Sequence, residues 1–177
     1  MPDALDLSSS VLAAWRTNCR VTALLVAELP TALWSEAIPG VTPRRPIRTL
    51  LAHLHNSRAR WIRTLGQPHG VKTPALVDLR RVGRRELLAA LVRSGNGIEA
   101  ILTLGLEAGG TVPPTPAYTW RNLPLDVGHV LTYFVAHEAH HRGQVVTIAR
   151  QLGQRLPASL VNGLWQWAAL QREAARA

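Results

Sequence analysis

His137 and His141 stand four residues apart, with Glu138 between them. On a helix that spacing puts the two imidazoles one turn apart on the same face. Two imidazoles so placed can both reach one divalent cation at about 2.0–2.1 Å. The chemistry open to such a pair is metal-assisted activation of a bound water or thiol. The competing reading is two core histidines hydrogen-bonded to carbonyls or to each other. Two of them at metal spacing, rather than one alone, favour the cation. Glu138 lies on the shoulder of that face and could be a ligand, a base or a group that orients a ligand. His140 falls on the flank, in an exposed or supporting position.

That chemistry needs a helix under it, and the sequence supplies one over 124–152. Val127, Val130, Leu131, Phe134, Val145, Ile148 and Leu152 recur at three and four residues, and the two histidines and Glu138 continue the beat. Polar groups in the middle of an apolar stripe are costly unless something satisfies them. A second helix over 46–65 carries Ile47, Leu50, Leu51, Leu54, Trp61, Ile62 and Leu65 on its stripe, with His53 and His55 beside them. His55 lies nearer the stripe than His53, but a site at the rim of a bundle can use a flank position, so spacing leaves both open. His69 and His129 fall in or near loops and read as solvated.

Three further helices complete the pattern. One over 9–34 shows Leu12, Trp15, Cys19, Leu24 and Leu25, with Ser8, Ser9 or Ser10 to cap it and Pro30 to kink or end it. Residues 39–43 form a loop, and another with Pro68, Gly70 and Pro74 follows Gly66. A third long helix begins near Asp78 or Gly83 and ends at Gly109–Gly110, with Ser94–Gly97 as a point where it could kink or split. The loop 111–122, rich in Pro and carrying Tyr118 and Trp120, is long enough to cover a site. A last helix over 158–175 turns Leu160, Leu164, Trp167 and Leu170 inward. The expected fold is all-α, an antiparallel four-helix bundle with an additional C-terminal helix, in one domain spanning 1–177.

Composition narrows the function classes. A hydrophobic share of 47% excludes disorder. Twenty Lys and Arg against 11 Asp and Glu give a formal net charge of +9. The arginines are spread along the chain, which fits a basic surface better than a nucleic-acid face, so no nucleic-acid partner is expected. The densest group, Arg80, Arg81, Arg84 and Arg85, sits at a helix start, where the macrodipole disfavours cations and an acidic ligand or partner could bind. Cys19 is the single cysteine and sits in an amphipathic stripe as core filler, which fits a reducing cytoplasm. The N-terminus lacks a basic segment followed by an apolar run, so no secretory signal is expected. No stretch long enough to cross a membrane is free of strongly polar residues, so no membrane partner is expected.

Two resemblances bear on the histidine helix. His137-Glu138-Ala139-His140-His141 matches the zincin pattern H-E-x-x-H, in which Glu138 would activate water. No strand-rich region precedes it and no downstream third ligand is evident, so a zinc peptidase is the less favoured reading. The longer run His137-Glu138-Ala139-His140-His141-Arg142-Gly143-Gln144-Val145, followed by Ala149-Arg150-Gln151-Leu152-Gly153, resembles the last bundle helix of the DinB/YfiT-like superfamily. Leu50-Leu51-Ala52-His53-Leu54 with Trp61 resembles the second helix of that family. The resemblance implies a bundle with one divalent metal, nickel or zinc, held by His53, His137 and His141, and a homodimer. It also implies a metal-dependent enzyme, a hydrolase or a transferase or isomerase using a low-molecular-weight thiol. Arg142 and Arg150 would then hold an acidic substrate or the thiol. Glu138, His140 or a group from the loop 111–122 would move the proton. Three imidazoles leave the metal an open position, as catalysis requires. The competing class is a non-enzymatic metal-binding stress-response module.

Overall fold

The computed structural model describes residues 6–40 and 42–176. Val41, in the loop expected at 39–43, lies outside the described residues, as do residues 1–5 of the stretch read as lacking a secretory signal. Among the described residues the regular elements are all helical. They are α1 (Leu7–Glu28), α2 (Ile47–Trp61), α3 (Arg84–Glu107), α4 (Val127–Gln151), α5 (Ala158–Gly163) and α6 (Trp167–Ala174).

The first four helices form the bundle, and α6 packs against α1. Side-chain pairs fix their directions. Trp15 donates to the Gly95 carbonyl and Arg16 to Glu99, while Arg84 reaches Ala27, so α1 and α3 are antiparallel. Arg58 pairs with Glu138 and Trp61 lies against Phe134, while His53 meets His141, so α2 and α4 are antiparallel too. The seams α1–α4 and α2–α3 run in the same sense: Asn18 and Thr22 face Glu138 and Arg142, and Arg58 and Ile62 face Leu91 and Gly97.

An extended strap makes the parallel α2–α3 seam possible. After α2 the chain takes a wide π turn over Ile62–Gly66 and then runs back along the helix it has just left. His55, buried and 0% exposed, bonds through Nε2 to the Ala75 carbonyl at 2.9 Å. Asn56 holds Val77 through both its amide and its carbonyl group, at 3.0 Å each. Thr49 donates to the Leu79 carbonyl. The strap therefore ends near the start of α2, and α3 begins beside the end of α1.

Several local expectations need adjusting. Asp6, not a serine, caps α1, accepting from the Ser9 amide at 3.1 Å. Pro30 ends α1, as a residue that cannot donate a backbone hydrogen bond should. Ser94–Gly97 does not break α3. At Gly97 the helices come so close that an added Cβ would stand 2.4 Å from the Ile62 side chain, so the glycine serves packing. The C-terminal helix is two: the chain turns between Gly163 and Trp167, and Leu160 and Leu170 both stay buried. Arg84 does not await an acidic ligand. It donates to the Ala27 and Leu29 carbonyls at the negative end of α1 and lies over Trp34. By length and composition α3 is apolar enough to cross a membrane, and 50% of its apolar window is buried inside the bundle.

Candidate metal centre

His137 and His141 project from the middle of α4, and His53 projects from α2 across the antiparallel seam. One ring nitrogen from each lies within 4.8 Å of the others. The ring centroids are 4.7 Å apart for His137 and His141, 4.9 Å for His53 and His141, and 5.3 Å for His53 and His137. His53 is half-buried and belongs to this group. His55, two residues on and so on the other side of α2, is spent on the strap.

The surroundings keep these rings neutral. Burial, with help from His141 and His53, pushes His137 down to about 4. Burial also lowers His53, and His141, Arg60 and Arg45 add to the effect. Burial lowers His141 as well, partly opposed by its hydrogen bond to Gln144. Neutral imidazoles keep the lone pairs that a cation needs. His141 is also aimed. Its Nδ1 lies 2.7 Å from the Gln144 side-chain oxygen, so Nδ1–H donates there and Nε2 is left for a ligand role. The Gln144 amide nitrogen lies 3.0 Å from His140 Nε2. Tyr133 stacks on His137 with its ring tilted by only 8°. Sequence reading did not single out Gln144; its position three residues after His141, on the same face, was the available signal.

Glu138 belongs elsewhere. It is 1% exposed and turned to the bundle axis. Arg58 donates to Oε1 at 2.6 Å, Asn18 and Thr22 donate to Oε2 at 2.9 and 2.7 Å, and Arg142 lies 3.6 Å away. Three donors hold the carboxylate in the closed interior, away from the cavity, which corrects the expected role as a base and turns the glutamate of the zincin pattern from the imidazoles. Arg142 is a second correction. It is 8% exposed, donates through Nη1 to Asn18 and Thr22 at 3.0 and 2.7 Å, and does not line the cavity beside the imidazoles. Arg150 is exposed and does not line the cavity beside the imidazoles. His140 is exposed next to His141, with ring centroids 5.1 Å apart, and keeps a place at the mouth of the site.

The loop 111–122 approaches through aromatics. Tyr118 and exposed Trp120 lie 5.9 and 6.3 Å from Trp61, which in turn meets Tyr133 at 5.4 Å. Cys19 is core filler: burial pushes its thiol up to about 12, far from thiolate chemistry at neutral pH.

The profile of the DinB family matches residues 1–173. No curated protein matches the chain.

Proposed function

Because this chain belongs to the DinB family, we propose that it is a metal-dependent enzyme acting on a small molecule, with His53, His137 and His141 holding one zinc or nickel ion. The observation that supports this most is the convergence of three lowered-pKa imidazoles from two helices on one point at a half-buried rim. Bound there, the ion would polarise a water or a low-molecular-weight thiol at the position that three protein ligands leave open.

The protein's own groups then divide the work. Gln144 fixes the tautomer and ring angle of His141. Tyr133 backs His137 and limits its rotation. His140, solvent-exposed beside the ligands, would take up a proton released at the site by giving up the hydrogen bond its Nε2 accepts from the Gln144 amide. Arg45 and Arg60 favour the unprotonated state of His53 and draw anions toward the site. The chemistry is hydrolysis or thiol-dependent transfer or isomerisation. On the same reading the protein works as a homodimer in the cytoplasm, supported by the family resemblance and the single, partly buried cysteine; sizing chromatography tests the first point.

The test is metal analysis of untagged protein beside His53→Ala, His55→Ala and His137→Ala, with turnover of small esters and thiol conjugates followed on each. One metal per chain and turnover, both lost in His53→Ala and His137→Ala, are expected. Full metal occupancy in His53→Ala would overturn the ligand set. Metal binding without turnover of either substrate class would favour the non-enzymatic module.

A further inference from the structure

A cavity of about 720 Å³ opens beside the imidazoles and shares His141 with them. That is the size of a small-molecule site. Its walls are sorted by chemistry. Ile38, Leu50 and Ile148 are its apolar lining, and Gln144, Thr147 and Gln151 are polar lining from α4. Arg45 supplies a guanidinium, and no carboxylate lines the cavity among the described residues. Arg16, Arg20, Arg58 and Arg142 are each in ion pairs, whereas Arg45 is in none among the described residues. A guanidinium without an ion pair among the described residues, in a half-apolar cavity that has a candidate metal ligand in its wall, describes a ligand with three parts.

We infer that the cavity binds a small carboxylic acid with an apolar body, its carboxylate on Arg45 and its far end beside His141. The planar fork of Arg45 matches a carboxylate in two-point contact. The hydrocarbon lies against Ile38, Leu50 and Ile148, and removing that surface from water supplies affinity that the exposed ion pair alone lacks. Thr147 and Gln151 bond to polar groups that the body carries. The carboxylate site stands independently of the metal; only the orientation of the reacting end toward His141 rests on the function proposed above. Arg45 thus takes the place that the family resemblance implied for Arg142 and Arg150.

Hexanoate, hexanamide and acetate are the probes, titrated by calorimetry into protein incubated with zinc, its zinc content measured on the same sample. Hexanoate should bind about tenfold tighter than either hexanamide or acetate. Arg45→Ala should remove the preference over hexanamide, and Arg150→Ala should leave it intact. Thr147→Trp, an exposed helix position facing the cavity, should weaken hexanoate and hexanamide alike. Survival of the carboxylate preference in Arg45→Ala would overturn the inference, because the carboxylate would then be ligating the metal or sitting elsewhere. Equal binding of acetate and hexanoate, or no effect of Thr147→Trp, would overturn it as well. Absence of zinc from the sample sinks the metal site and leaves these comparisons readable.

Discussion

Glu138 and His137 are neighbours in sequence and belong to opposite kinds of polar region. Around Glu138 the bundle has closed a knot of charge: one carboxylate between two guanidinium groups, with Asn18 and Thr22 relaying hydrogen bonds, all contributed by α1, α2 and α4. Around His137 three imidazoles face one another, half-exposed, and none of them can supply a proton acceptor and a donor to satisfy all the others. The knot holds its opposite charges together inside the bundle; the imidazole cluster stands half-open at the rim, where a cation could reach it. A buried polar network that satisfies itself specifies packing, whereas one that converges and stays unfinished at the rim marks a site. The two differ by one residue because successive helix positions point about 100° apart, so α4 serves the bundle axis with one and the α2 seam with the other.

The largest expected effect breaks the knot. Glu138→Gln leaves Arg58 and Arg142 buried without a counter-charge, and it should cost about 3–5 kcal/mol in chemical denaturation. If Glu138→Gln instead folds with near-native stability and abolishes turnover alone, Glu138 is catalytic and the contrast is false. At the imidazole cluster the loss should be of function rather than fold. His137→Ala should lose the metal while metal-free stability changes by about 1 kcal/mol or less. His55→Ala should do the reverse, costing about 2 kcal/mol as the Ala75 carbonyl loses its partner and keeping the metal. Metal content and denaturation midpoints of the two variants, measured together, separate a ligand from a strut.

Periodicity carried most of the architecture. The four long apolar stripes told where the helices run, and the spacing of His137 and His141 told that they share a face. The stripe also told correctly that His55 is the more buried of its pair. It could not tell that burial there disqualifies a ligand, because the group that occupies His55 is a carbonyl 20 residues away on the strap. The choice of His53 came from resemblance alone. The roles of Glu138 and Arg142 were illegible for the same reason: their partners lie on other helices, Asn18 being 120 residues from Glu138 and 124 from Arg142. Local spacing reports which way a side chain points and is silent on what meets it there.

A smaller effect sharpens the contrast within the site. Gln144→Ala leaves all three ligands in place and frees His141 to rotate, so metal affinity should fall by about 10- to 100-fold with the fold intact. Competition titration against a chelator of known affinity measures it. An unchanged affinity would mean that Gln144 serves only the cavity wall.

The smallest effect is on stability in acid. His137 titrates near 4 in the folded protein, against an ordinary value of 6.5, chiefly because it is buried. Between those two values the unfolded chain binds a proton that the folded chain refuses. Stability of the metal-free protein should therefore be level above about pH 6.5 in this contribution and decline as the pH falls toward about 4. His53 and His141, also lowered, act in the same direction. Solvent reaches this half-buried cluster and softens the effect, and carboxylates add their own acid dependence at the lower end. The diagnostic is thus the difference between wild type and His137→Asn in thermal midpoint, followed from pH 7 to pH 4 without metal. The wild type should fall relative to the variant as the pH falls, since it alone acquires the cost of keeping this imidazole unprotonated. Zinc should delay the loss in wild type alone, because a coordinated imidazole cannot take up the proton. Parallel curves, with and without zinc, would show that His137 is as freely solvated as a surface histidine, and the unfinished cluster would then be an ordinary stretch of helix.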